Sequence, residues 1–315
     1  FKLAEANTPP FYKTFTTGNW KRCRPAVGKE DCSVYGMNGI TVNTNAQYND
    51  FAIALQENFH HKYFKSIKVY HNFNPAYNFY IDYNSGLKYK HTEVKREGYS
   101  LYEFEENIDS VSFKVQKIDS LNSSEFTLYG FSLETEDPGF YYACMGFNGA
   151  SCQSFIESQL LVPQLKSLSP DLVIFSIGVN DTHGPNFTKE YMVSHYDSLV
   201  AMVKRASPEC AIIFTTVTDN YIKVRKARRR SAYVPNPKTL AAHEAILELS
   251  KKYNAGYWDL FMVMGGFKSM ALWQKAGLAA KDKVHFSGGG YHIVGNLMFQ
   301  AFVQSYYANS VLKKK

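Results

Sequence analysis

The sequence predicts two architectures in succession: an all-β sandwich or jelly roll over residues 1–138, then an α/β domain built on a parallel sheet over residues 139–315. Two observations lead there. Strand-like alternation with turn punctuation dominates before residue 138, and apolar strand runs alternate with helix patterns after it. The change falls at the turn Asp137-Pro138-Gly139.

In the first part, the strand candidates are Ser66 to Tyr70, Tyr77 to Tyr83, Ser110 to Val115 and Phe126 to Tyr129, with a turn at Asn84-Ser85-Gly86. Tyr70, Phe79, Tyr80 and Tyr83 read as core or cross-strand rings, although exposed rings of such a domain can also stack on sugars. In the second part, Tyr141 to Met145 is a strand and Cys152 to Leu168 a helix. Leu172 to Ile177 is a strand, Phe187 to Ala206 a helix, and Ala211 to Val217 a strand. Pro237 to Tyr253 is a helix, Ala255 to Leu260 a strand, and Gly289 to Ser310 a terminal helix. Strands separated by helices make a parallel sheet covered on both faces.

Composition narrows the function classes. The chain has 315 residues, 45% of them hydrophobic, which is enough for a sizeable core. The net charge of +7 is not gathered into a long purely basic stretch, so nucleic acid is not expected as a partner. No apolar run approaches the ~20 residues of a membrane-spanning helix. Cys23 and Cys32 flank a polar loop and suit a local bridge in an oxidising compartment; Cys144, Cys152 and Cys210 read as small core residues. None of the five cysteines has metal-ligand spacing, and neither a metal nor a cofactor is expected. The basic run Lys223 to Arg230 either faces an anionic polymer or is a solvated loop.

Three short blocks carry chemistry, each at the C-terminal end of a strand, where open parallel sheets collect their ligands. Gly178-Val179-Asn180-Asp181 follows the strand ending at Ile177 and sets the Asn180 amide where it can donate to a developing oxyanion. Alone it would be a turn capping the next helix. Asp282-Lys283-Val284-His285 spaces an acid and an imidazole so that the carboxylate fixes the tautomer and the other ring nitrogen can accept a proton. Alone it would be a surface turn. Asn148-Gly149-Ala150-Ser151 offers a glycine whose backbone N–H can approach a substrate oxygen. Asn148, Asp181 and His183 are further candidates for substrate contact. Two glycosylation sequons, at Asn180 and Asn186, read as chance.

In this order, the blocks resemble the SGNH (GDSL-type) hydrolase family over about residues 139–310. The resemblance implies a flavodoxin-like three-layer α/β/α sheet, with His285 as general base, Asp282 as its orienting acid, and Gly149 and Asn180 as oxyanion donors. Gly146 is the alternative to Gly149. No Gly-Asp-Ser block occurs in these residues. Residues 1–138 are similar to the carbohydrate-binding-like β-domain inserted after the serine block in the peptidoglycan O-acetyl esterase subset. Phe11 to Cys23 followed by Gly39-Ile40-Thr41-Val42 resembles the start of such an insert. Leu128-Tyr129-Gly130-Phe131 leading to Gly139 resembles its return.

The resemblance therefore implies a serine nucleophile upstream of Phe1, on the first and central strand of the sheet. Without that strand, unpaired backbone groups would each cost about 1–3 kcal/mol if buried. The implied activity is removal of O-acetyl groups from a carbohydrate polymer, peptidoglycan first, with acetylated plant or host polysaccharide as the alternative. The implied partner is the N-terminal segment, covalent or in trans, and the implied location is the bacterial periplasm or exterior. The competing class is a non-catalytic carbohydrate-binding or scaffolding protein that kept the fold after losing its serine.

Overall fold

The computed structural model describes residues 11–23, 34–56, 62–225 and 231–312. The chain divides into two compact units: the first runs to Pro170 and takes in Met202–Pro208, and the second comprises Asp171–Ala201 and Glu209 onward. The first unit thus extends past the change of sequence pattern at residue 138.

The first unit is a β-sandwich. Its strands are Tyr12–Thr17 (β1), Lys21–Cys23 (β2), Thr41–Thr44 (β3), Tyr48–Leu55 (β4), Phe64–His71 (β5), Tyr77–Ile81 (β6), Tyr89–Val94 (β7), Tyr99–Ile108 (β8), Ser110–Lys117 (β9) and Phe126–Glu134 (β10). They pair antiparallel in two sheets, ordered β1-β4-β9-β6 and β2-β3-β10-β5-β8-β7. The period-2 pattern explains the core. In β9, Val111, Phe113 and Val115 are buried while Ser110, Ser112, Lys114 and Gln116 alternate with them. Phe51 of β4 stacks on Phe113 at 5.0 Å and meets Phe131 of the other sheet at 6.2 Å. Each such buried ring stabilises the fold by about 1.5–3 kcal/mol relative to exposure. Phe79 joins this packing, Tyr70 is buried in a separate cluster with Tyr99 and Tyr129, and Tyr83 is 79% exposed and stacks on Tyr80.

Cys23 is disulfide-bonded; Cys32, its expected partner, lies outside the described residues. Cys152 and Cys210 are buried as expected, whereas Cys144 is exposed.

Two corrections concern the segment after the sandwich. Tyr141 to Met145 forms no strand: no ladder partner accompanies it among the described residues, and Tyr141 and Tyr142 are exposed. The helix expected over Cys152 to Leu168 is two helices, Cys152–Ile156 (α1) and Leu161–Leu168 (α2). Pro163 explains the break. It has no N–H to donate, and its ring would clash with the carbonyl of residue 159 in a continuous helix, so it occupies the first turn of a new one. α2 is held to the sandwich by Met37 N donating to Gln164 Oε1 at 2.8 Å and Lys68 Nζ donating to Ser167 O at 2.9 Å.

In the second unit, Leu172–Phe175 (β11), Ala211–Thr215 (β12) and Gly256–Trp258 (β15) form a parallel sheet in the order β11-β12-β15. Tyr221–Arg225 (β13) and Ser231–Pro235 (β14) form an antiparallel hairpin. The basic run is therefore not a simple loop: Lys223 and Arg225 lie on β13, and residues 226–230 lie outside the described residues. The helices are Val179–His183 (α3), Lys189–Ala206 (α4), Lys238–Tyr253 (α5), Leu260–Val263 (α6), Met270–Lys275 (α7) and Gly288–Leu312 (α8).

Helical spacing places Met192, Tyr196, Leu199, Val200 and Val203 on the buried face of α4. Tyr196 seals that face to the sheet through Phe175 and Phe214, each at 5.7 Å. α5 packs on β12 and β15, and Ala242, Ala245, Ile246 and Leu249 are buried along it. α8 differs, for Tyr291, Phe299, Tyr306 and Tyr307 are all exposed on it. Among the described residues no helix is long and apolar enough to cross a membrane.

Candidate active site

The Asp282–His285 block is a closed turn. A bridge between Ala279 and Phe286 clamps its base, Ala280 N donates to His285 O at 2.8 Å, and Lys283 takes a left-handed conformation with φ 57°. The turn aims the Asp282 carboxylate inward on itself. Its Oδ1 accepts from Val284 N at 2.9 Å and His285 N at 3.1 Å, and its Oδ2 lies 2.8 Å from His285 Nδ1.

A carboxylate can only accept, so Nδ1 carries the proton and Nε2 presents its lone pair. Nε2 has no hydrogen-bond partner among the described residues, and the ring is 69% exposed. Partial burial pushes the Asp282 carboxyl up, but the His285 ring and the amides of Val284 and His285 outweigh it and hold the group below the usual carboxylate range. The arrangement can take a proton from a hydroxyl delivered to Nε2.

The Asn180 block follows β11. Gly178 has φ 115°, and a Cβ there would lie 2.8 Å from Met192 Cε and 2.9 Å from Val217 Cγ2. Glycine is required both by the left-handed backbone and by the space. The chain then turns directly into the short helix α3, on which Asn180 is exposed and Asp181 is 5% exposed. His183, at the end of α3, donates from Nε2 to Asn220 Oδ1 at 2.9 Å. Its ring is therefore anchored rather than freely solvated.

Asn148 and Gly149 are exposed, and Gly149 has φ 82°. They precede Ser151, which caps α1 through reciprocal bonds with Ser154. Gly149 belongs to the first compact unit, and Asn180, His183, Asp282 and His285 belong to the second. The structure brings Asp282 onto His285, and His183 onto a buried group not anticipated from sequence.

That group is Asn220 with Asn236, both fully buried after β12 and before α5. Asn236 Nδ2 donates to Asn220 Oδ1 and to Thr182 Oγ1, each at 3.0 Å, and Asn236 N donates to Asn220 O at 2.9 Å. Asparagines flanking a hairpin read as turn residues in sequence, and only the fold gathers them.

A second His–Asp pair joins α5 to the residue after β15. His243 of α5 reaches both carboxylate oxygens of Asp259 at 3.0 Å. Asp259 also accepts from Thr216 Oγ1 and from the amide of Met262, capping α6. The pair ties β12, β15 and α5 together.

Of the three blocks expected at strand ends, only Gly178 to Asp181 follows a strand directly; Asn148 to Ser151 precedes α1 without one, and Asp282 to His285 lies between α7 and α8. A parallel α/β sheet with a glycine-led Asn-Asp block after β11 and an imidazole oriented by a neighbouring carboxylate before α8 defines a hydrolase of the acyl-transfer class. The family model of the GDSL-like Lipase/Acylhydrolase family matches residues 131–293, and the chain belongs to that family, the SGNH hydrolases. The activity of the chain is that of an ester hydrolase. No curated protein sequence matches the chain. Among solved structures, a peptidoglycan O-acetylesterase superposes with a TM-score of 0.71 at 14% identity, covering 97% of this chain and 81% of that one. The salicylyl-acyltransferase SsfX3 from a tetracycline biosynthetic pathway gives a TM-score of 0.33 at 11% identity, covering 89% of this chain and 90% of that one. The first likeness extends through both the α/β fold and the β-domain.

Proposed function

We propose that the protein is a serine esterase that removes O-acetyl groups from a carbohydrate polymer, with O-acetylated peptidoglycan as the first substrate. The observation that carries the reading is the Asp282–His285 pair, bonded at 2.8 Å with Nε2 left open to a hydroxyl. The substrate class is supported by the whole-chain likeness to a peptidoglycan O-acetylesterase. The disulfide at Cys23 fits a periplasmic or secreted location.

The nucleophile is a serine on a segment outside the 315 residues, joined to the chain or supplied in trans. Two features of the second unit support it. The β11 edge away from β12 carries no strand among the described residues, and α8 exposes Tyr291, Phe299, Phe302 and Tyr307. In the reaction, His285 Nε2 takes the serine proton as the serine oxygen attacks the acetyl carbon. The Asn180 amide stabilises the oxyanion. The protonated His285 returns its proton to the departing sugar oxygen, and water activated by the same nitrogen releases acetate.

The test is acetate release from O-acetylated peptidoglycan and from acetylated xylan, using the natural full-length protein. Release from peptidoglycan alone supports the assignment. Release from xylan alone moves the substrate to plant polysaccharide. Release from neither, with retained binding to the polymer, gives the molecule to the non-catalytic class.

A further inference from the structure

The segment Thr218 to Tyr221 touches both turns that carry candidate catalytic groups. Asn220 Oδ1 accepts from His183 Nε2 at 2.9 Å and from Asn236 Nδ2 at 3.0 Å, while its own Nδ2 donates to Thr218 O at 3.1 Å. Asn236 also donates to Thr182 Oγ1, and Lys238 Nζ donates to Gly184 O at 2.5 Å, so every residue from Thr182 to Gly184 is held. One residue on, Tyr221 N donates to Lys283 O at 3.2 Å, and Lys283 Nζ lies 4.8 Å from the Tyr221 ring centre. Lys283 stands inside the Asp282–His285 turn. A fully buried asparagine thus grips the turn of Asn180, and its chain neighbour grips the turn of His285.

Resting on the esterase reading, we infer that Asn220 is a positioning residue: it sets the Asn180 turn against the His285 turn and locks His183 in its Nε2–H tautomer. Two facts separate this role from ordinary core packing. Its side chain is held by polar groups of the Asn180 turn, of Asn236 and of Thr218, with Oδ1 accepting twice and Nδ2 donating to a carbonyl. And because Asn220 Oδ1 can only accept, the tautomer of an exposed ring is dictated from a buried site. The Asp282–His285 bond is local to its own turn and does not pass through Asn220.

The experiment compares Asn220→Leu and Asn220→Asp in the natural full-length protein, by nitrogen–proton NMR of the histidine rings and by hydrolysis of p-nitrophenyl acetate. In Asn220→Leu, His183 redistributes between tautomers and kcat falls about 10- to 100-fold, the scale of an ångström-sized misplacement, with KM and the pH midpoint of kcat/KM unchanged. Asn220→Asp keeps the acceptor: it restores the Nε2–H tautomer and recovers most of kcat. Unaltered His183 spectra or unaltered kcat in Asn220→Leu overturns the inference, as does a moved pH midpoint. Should Asn220→Leu not fold, His183→Ala at the exposed end of the same bond lowers kcat and His183→Gln, which keeps an N–H donor, recovers it; equal kcat in all three proteins overturns it. A wild-type protein that hydrolyses no ester removes the esterase reading, and the His183 spectra then decide the anchoring by themselves.

Discussion

Asp282 Oδ2 and His285 Nδ1 are 2.8 Å apart within one tight turn, with the second carboxylate oxygen held by two backbone amides. The acid is thus fixed before it orients the base. Asp282→Asn puts an amide where the imidazole needs an acceptor and allows the wrong tautomer. Turnover of an ester substrate should fall by up to ~10⁴-fold, with KM little changed.

The same bond sets an acid limit for this turn. The Asp282 carboxyl sits below its ordinary value, so its folded-state contribution is fully present above the unfolded pKa and is lost as pH falls through the lowered folded value. Acid unfolding of wild type against Asp282→Ala should therefore converge below that range and separate above pH 3.8.

Asn180 is exposed on α3. Asn180→Ala should lower kcat by ~10²–10³-fold through loss of one oxyanion donor while leaving thermal unfolding in place. A stably folded Asn180→Ala protein with wild-type turnover removes the residue from the oxyanion hole.

Much of this site is legible in the sequence because its parts are local. An acid three residues before a histidine closes on itself in a turn, and a glycine after an apolar strand announces a left-handed residue, as Gly178 proves to be. The long helices α4 and α5 and the strand β5 follow from period alone. What stayed hidden depends on partners far along the chain. Tyr141 to Met145 has the composition of a strand, but a strand needs a ladder. β13 alternates Ile222 and Val224 with Lys223 and Arg225, so its period was present, obscured by the density of cations in the sequence from Lys223 to Arg230. Asn220 and Asn236 stand 16 residues apart, and nothing in either neighbourhood marks them as one network.

Within the sandwich, His71 is 5% exposed and packed on Phe73 and Phe79. Phe73 N donates to its Nδ1 at 3.2 Å, so Nε2 carries the proton and meets Ser100 Oγ at 2.8 Å. Burial, reinforced by His91, lowers its pKa from 6.5 to about 3. The unfolded chain then binds a proton that the folded chain refuses, so stability should fall as pH drops from 6.5 toward 3, at up to ~1.4 kcal/mol per pH unit. His71→Gln, which cannot titrate, should flatten that part of the denaturation profile; an unchanged slope would assign the acid sensitivity to other groups.

Gly178 tests whether the strand-to-helix turn is built for its function or merely tolerated. With φ at 115°, any side chain imposes backbone strain, and the added methyl would also have to displace Met192 Cε and Val217 Cγ2 from inside 3 Å. Met192 is flexible and can yield, whereas Val217 is 2% exposed and branched at Cβ, so the turn itself must move. Strain and overpacking together should cost about 1–3 kcal/mol in denaturant unfolding of Gly178→Ala. Because Asn180 is two residues away, the shift should also lower kcat in whatever fraction remains folded. Loss of stability with full turnover per folded molecule would show that the glycine serves packing alone, and loss of neither would mean that the turn relaxes to accept a side chain.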